Sequence, residues 1–196
     1  LIAFLCVSAF AFAQYVVKSN TNSQGTSFEI TVESGDEHNH TTFAVWLEEI
    51  DGVFIQNLFV TQSVATGVYN YKPSGNLKWE KGPGEARRPA TLPYWLHKRG
   101  VKANDGTYLP TPENPVADAY TDATPANGFT MSVKANNKLT GKKVLLLEVN
   151  QPWDFNEYWH NNKYPNDKNY LTSCQPALVY AVTIDFDNLM DDYYMN

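Results

Sequence analysis

Apolar and polar residues alternate in several short segments of the chain, and this period of two predicts β-strands. In SFEITVES, Phe28, Ile30 and Val32 alternate with polar neighbours, which is typical of a strand with one buried side. Three later segments, GFTMSVKA, KVLLLEV and ALVYAVTIDF, show the same pattern or are apolar on both sides. The last of them is predicted to be a core strand that presents one apolar face, formed by Leu178, Tyr180, Val182, Ile184 and Phe186.

A β-hairpin is predicted for residues 43–60. The segments FAVWLEEI and VFIQNLFV flank Asp51-Gly52. This dipeptide tolerates the positive φ values of a two-residue type I′ turn, which suits the twist of two antiparallel strands.

Helix is predicted to be a minor component, with one short helix in ATLPYWLHKR, Ala90 to Arg99. Residues 62–127 and 152–171 show no strand pattern and are predicted to be long loops. About six short strands separated by Gly, Pro and Asn turns indicate an all-β protein. We expect an antiparallel immunoglobulin- or fibronectin-like β-sandwich with long loop insertions.

Composition and charge narrow the function classes. The chain has 196 residues, 43% hydrophobic and 18% charged, which favours one globular domain over disorder. The formal net charge is −6, and Arg occurs only at positions 87, 88 and 99. Nucleic-acid binding is therefore not expected.

Residues 1–13, LIAFLCVSAFAFA, have the composition of a signal-peptide core, although a buried strand is the alternative. Ala11 and Ala13 place the predicted cleavage before Gln14, which leaves residues 14–196 as a single exported domain without a transmembrane segment. Cys174 is then the one thiol of the mature domain, and its position before an apolar strand favours a small packed residue over a reactive one.

Two clusters carry candidate chemistry. His38 and His40 point to one side if the next strand begins early, and two imidazoles could ligate zinc or copper with His97, His160 or Glu148. The same composition also suits an ordinary polar loop.

The second cluster is the aromatic loop after KVLLLEV. It could form a platform for sugar rings, or its aromatic side chains could close the open end of the sandwich. The candidate ligand-binding residues are Trp153, Tyr158, Trp159 and Asn161.

Hydrolytic signatures are not found in the sequence: it has no G-x-S-x-G elbow, no H-E-x-x-H pair and no Gly-rich phosphate loop. This favours a protein that is not an enzyme and that binds an envelope protein or a small ligand.

Three segments together, FAVWLEEIDGVFIQNLFV, DAYTDATPANGFTMSVKA and LTGKKVLLLEVNQPWDFNEYW, resemble the secreted bacterial domain-of-unknown-function family twenty-two seventy-one. The resemblance covers residues 28–186. It implies a periplasmic or extracellular β-sandwich, in the setting of flavin and iron redox systems. The expected function is an exported, non-enzymatic accessory or binding domain of the bacterial envelope. Alternatives are a carbohydrate-binding module and a carrier of covalent FMN.

The FMN alternative depends on a second similarity. Asp118, Thr121 and Thr124 match a flavin-attachment motif in which the last hydroxyl is linked to the FMN phosphate, so the resemblance implies Thr124 as the acceptor. Where the motif has Gly, this chain has Asp122, whose carboxylate would repel the phosphate and whose backbone is less free. An ordinary turn before the next strand is therefore the favoured interpretation, and FMN is not the favoured cofactor.

Overall fold

The computed structural model describes residues 15–37, 39, 41–75, 78–116, 121–122 and 128–196. Within these residues strands predominate, as the sequence predicts. In chain order the elements are β1 (Tyr15–Ser19), β2 (Ser27–Val32), β3 (Thr42–Glu49), β4 (Phe54–Thr61), α1 (Gln62–Thr66), β5 (Val68–Pro73), β6 (Trp79–Glu85), α2 (Pro93–Arg99), β7 (Thr121–Asp122), β8 (Phe129–Lys134), β9 (Lys142–Asn150), a 3₁₀ turn (Tyr170–Thr172) and β10 (Leu178–Asp185).

The strands form three sheets. A three-stranded sheet has the order β1-β8-β2, a five-stranded sheet the order β10-β9-β3-β4-β7, and β5 and β6 form a separate two-stranded sheet. The β1–β8 and β4–β7 pairs are parallel, and the other pairs are antiparallel.

The core lies on both faces of the five-stranded sheet, which explains why β3 is apolar at successive positions. Phe43, Val45 and Leu47 face the three-stranded sheet, and the Phe43 ring stacks on Phe59 at 4.9 Å and on Phe129 at 5.0 Å between centroids. Ala44 and Trp46 face the other side, where they pack against α1 and α2.

The predicted hairpin is confirmed, but its predicted two-residue turn is wrong. The N–H of Glu49 donates to the carbonyl of Val53 at 2.8 Å, so the connection has three residues, 50–52. Gly52 has a φ of 84°, whereas Asp51 does not have a positive φ. Asp51-Gly52 also suits a three-residue connection in which a type I turn is followed by a glycine in the left-handed conformation. In this connection only the glycine needs a positive φ.

Two further expectations need correction. Residues 62–127 contain α1 and the β5–β6 hairpin, which the sequence does not reveal because the segment WEKGPGE is largely exposed and has no alternating apolar face.

β10 is an edge strand and not a core strand throughout: Ile184 is 5% exposed, but Leu178 is 55% exposed. Val182, Ile184 and Phe186 pack on the core between the three-stranded and five-stranded sheets.

The short helix predicted between residues 90 and 99 is confirmed as α2. Among the described residues, no helix has the length and apolar character needed to cross a membrane.

Candidate functional site

The loop between β6 and α2 buries a guanidinium group among aromatic rings. Arg88 is 7% exposed. Its central carbon lies 3.9 Å from the ring centroid of Tyr69, 4.4 Å from that of Trp153 and 5.2 Å from that of Trp79. We call these four residues the arginine cluster. Stacking on aromatic faces leaves the N–H groups at the edge of the guanidinium plane to make hydrogen bonds.

The β5–β6 hairpin and the loop after β9 bring the three rings together. Trp79 meets Trp153 at 5.5 Å between centroids. Trp153 has a φ of 60°, a conformation that costs about 1–3 kcal/mol for a bulky residue. Two hydrogen bonds hold it: its backbone N–H donates to Ser173 at 2.6 Å, and its indole N–H donates to the Leu171 carbonyl at 3.2 Å.

Arg88 has few polar partners. Its Nη2 donates to the Tyr71 carbonyl at 3.0 Å, and its buried Nε has no hydrogen-bond partner. In the described part of the chain no carboxylate lies within ion-pairing distance of it. The neighbouring Arg87, by contrast, pairs with Glu85 and Asp105.

Burial governs the protonation of the cluster. It lowers the pKa of Arg88 to about 10, an effect that Tyr69 opposes, so the guanidinium is still charged at neutral pH. Burial raises the pKa of Tyr69 to about 12, an effect that Arg88 opposes. The cluster is therefore a cationic site whose charge is not balanced by an acid of the described residues.

A second aromatic group lies in the loop after β9 and surrounds Lys163. The Lys163 Nζ lies 3.3 Å from the ring centroid of Tyr158, 4.0 Å from that of Trp159 and 6.0 Å from that of Tyr164. We call these four residues the lysine cage. The Tyr158 and Trp159 rings are nearly perpendicular, at 81°.

The start of α2 is held by a buried carboxylate. Glu148 accepts the backbone N–H groups of Tyr94 and Trp95, at 3.0 and 2.7 Å. Burial raises the pKa of Glu148 to about 7, although these two N–H groups and the charge on His97 lower it. The role of Glu148 is thus to anchor α2, which begins at Pro93, five residues after Arg88.

The aromatic residues predicted for ligand binding lie in two separate clusters. Trp153 belongs to the arginine cluster, Tyr158 and Trp159 belong to the lysine cage, and Asn161 is exposed. Tyr158 is 66% exposed, so its ring does not cover an end of the β-sheet core. Because its ring is perpendicular to Trp159 and covered by Lys163, the two rings do not form one flat sugar platform either.

Several other predicted site residues lie outside the described residues: His38, His40, Asp118 and Thr124. Thr121 lies in β7, where it pairs with Val60. Among the described residues, no three His, Cys, Asp or Glu side chains are grouped so as to hold a metal ion. Glu148, considered as a further metal ligand, instead binds backbone N–H groups.

Sequence reasoning missed Arg88, Tyr69, Trp79 and Lys163. The scarcity of Arg in the chain was a usable signal, but nothing in the segment EARRPA distinguishes the buried Arg88 from the half-buried Arg87. Comparison with known proteins gives no family: no family model, no curated protein and no solved structure matches the chain.

Proposed function

We propose that the chain is a non-enzymatic binding domain that recognises an acidic sugar, with Arg88 binding the carboxylate of the ligand. The observation that carries this proposal is the buried guanidinium that lacks an acidic partner among the described residues. A buried charge without a counter-ion is costly. A ligand carboxylate would supply the missing partner through charge-assisted hydrogen bonds.

The aromatic rings of the cluster support a sugar as the remainder of the ligand. Trp79 is 41% exposed, so part of its indole is open to solvent beside Arg88. The apolar face of a sugar ring packs on such an indole, while a few polar groups fix its orientation. The strained backbone of Trp153 is consistent with a functional position, because such strain is often found at binding sites.

Calorimetric titration tests the proposal. The ligands are oligosaccharides of a uronic acid and neutral oligosaccharides of the same linkage. Arg88→Gln removes the charge and should weaken uronate binding by at least about tenfold, since charge-assisted hydrogen bonds are among the stronger ones. Arg87→Gln is the matched control, because Arg87 is the neighbouring residue but already pairs with Glu85 and Asp105. Its binding should stay within about twofold of the wild type.

A second variant separates binding from folding. Trp79→Leu removes the exposed indole and its ring contact with Arg88 but keeps the guanidinium itself, and it should weaken uronate binding while the melting temperature changes little. Equal binding of acidic and neutral oligosaccharides, or unchanged uronate binding in a folded Arg88→Gln variant, would refute the proposal.

We also propose that the domain acts outside the cytoplasm as an envelope accessory protein. The support is the apolar segment of residues 1–13 and the A-x-A pair before Gln14. N-terminal sequencing of protein recovered from a secreting bacterium should give Gln14 as the first residue. Recovery of the uncleaved chain from the cytoplasm would contradict this.

For the fold, we propose a relative of the immunoglobulin sandwich. The order β10-β9-β3-β4 corresponds to the order G-F-C-C′ of variable-type domains, and the β2–β8 pair corresponds to strands B and E. The parallel β1–β8 pair departs from that plan. Strand-by-strand superposition of a crystal structure on immunoglobulin domains tests this assignment.

A further inference from the structure

The lysine cage has the geometry of a binding site that is filled by a side chain of the same protein. The rings of Tyr158 and Trp159 form two walls at 81°, with their centroids 5.3 Å apart. The ammonium group of Lys163 lies in the corner between these walls, and Tyr164 lies further out. Aromatic rings that surround a cation in this way are the usual means of recognising quaternary ammonium groups.

Contacts that do not involve the Lys163 side chain hold the backbone that carries the two walls. The side-chain oxygen of Asn156 accepts the backbone N–H groups of Tyr158 and Trp159, at 2.9 and 2.8 Å. Tyr164 packs edge-on against Tyr170 at 4.9 Å, and the Tyr170 hydroxyl shares its proton between the carbonyls of His160 and Cys174, at 2.9 and 3.0 Å. The backbone beneath the corner should therefore stay in place when the lysine leaves it.

Lys163 itself is held weakly. Its ammonium group donates one hydrogen bond, to the Tyr158 carbonyl at 3.1 Å. In the part of the chain that the structure describes, no carboxylate pairs with it. The rest of its attraction comes from the ring faces, and Tyr158 is largely exposed. An exposed cation–π contact on a flexible four-carbon chain is readily exchanged for another cation.

We infer that the corner between Tyr158 and Trp159 is a binding site for a small quaternary ammonium ligand, and that Lys163 occupies the site until the ligand displaces it. A quaternary ammonium group has no N–H, so it needs ring faces and no hydrogen-bond acceptor. The net charge of −6 attracts a cation to the surface. This site is distinct from the arginine cluster in residues and in ligand charge, and it does not depend on the function proposed above.

Titration with choline and with its uncharged carbon analogue, 3,3-dimethylbutan-1-ol, tests the inference. The readout is the NMR signal of the Trp159 indole N–H, which reports on this loop alone. Lys163→Met removes the competing ammonium group and keeps the chain length, so choline should bind this variant about fivefold more tightly than the wild type. Lys168→Met, in the same loop, is the matched control and should bind choline like the wild type.

Adding Tyr158→Leu to Lys163→Met removes one wall and should abolish saturable choline binding. The carbon analogue should not saturate with any variant, because it has the shape of choline without the charge. Failure of choline to shift the Trp159 signal in folded Lys163→Met, or equal binding of choline and its analogue, would overturn the inference. Because Tyr158 is exposed and Lys163 is half-buried, melting temperatures should confirm that each variant folds.

Discussion

Arg88 and Glu148 illustrate two ways in which a charged side chain is buried. Glu148 accepts two backbone N–H groups, so its oxygens have partners within the fold. Arg88 has ring faces and one carbonyl, and its Nε has no partner. The first arrangement is complete without a ligand, whereas the second leaves hydrogen-bonding capacity unused. Arg88 is therefore the better candidate for a binding residue.

Replacing Glu148 with Gln should remove a pH dependence of stability. The pKa of Glu148 is about 7 in the folded protein, compared with an ordinary value of 4.5. Between these values the folded chain holds a proton that the unfolded chain releases, so the free energy of unfolding falls as pH rises from about 4.5 to about 7 and levels off above. Urea unfolding at several pH values should show this slope in the wild type and its loss in Glu148→Gln.

Glu33→Gln is the control for that measurement, because Glu33 is exposed. Its slope should equal that of the wild type. At the top of the pH range the Glu148→Gln variant loses one capping hydrogen bond, worth about 1 kcal/mol, but also avoids a buried charge. A slope that persists in Glu148→Gln would mean that another group titrates in this window.

At the level of elements, the sequence predicts those strands whose apolar side chains face the core. β2, β3, β4, β8 and β9 carry apolar residues in strand patterns because they line the core, so the sequence identifies them. β5 and β6 are held mainly by backbone pairing in an exposed hairpin, and their sequence contains no such pattern. The arginine cluster is built on that hairpin, so it could not be predicted from side-chain periodicity.

β10 offers a test of this distinction within one strand. Ile184→Ala should lower the free energy of unfolding by about 2–5 kcal/mol, because Ile184 packs in the core between the two larger sheets. Leu178→Ala, in the exposed half of the same strand, should change it by less than about 0.5 kcal/mol. Chemical denaturation followed by tryptophan fluorescence measures both. Comparable losses at the two positions would show that Leu178 is also covered.

At the scale of the whole molecule, the described domain is stabilised by packing and not by a covalent cross-link. Cys174 is a free cysteine and is 1% exposed, which confirms the prediction of a small packed residue. Burial raises the pKa of its thiol, which lowers the fraction of reactive thiolate at neutral pH. The thiol is therefore a reporter of global opening.

Maleimide modification of Cys174 should be slow in the native protein and should accelerate in urea in parallel with the loss of tryptophan fluorescence. Mass spectrometry of the peptide that contains Cys174 measures the reaction. Adding a reductant should leave the unfolding midpoint unchanged. Fast labelling without urea would show that the segment around Cys174 opens independently of the β-sheet core.

The parallel pair of β1 and β8 has a consequence for synthesis on the ribosome. Tyr15 pairs with Phe129 and Ser19 with Val133, so more than a hundred residues separate the partners. β2 also pairs with β8. At about 5–20 residues per second, several seconds pass between the emergence of the first two strands and that of the strand that joins them. During this delay Val17 and the apolar face of β3 are uncovered in the nascent chain, which makes a cotranslational chaperone most useful before residue 129 is made.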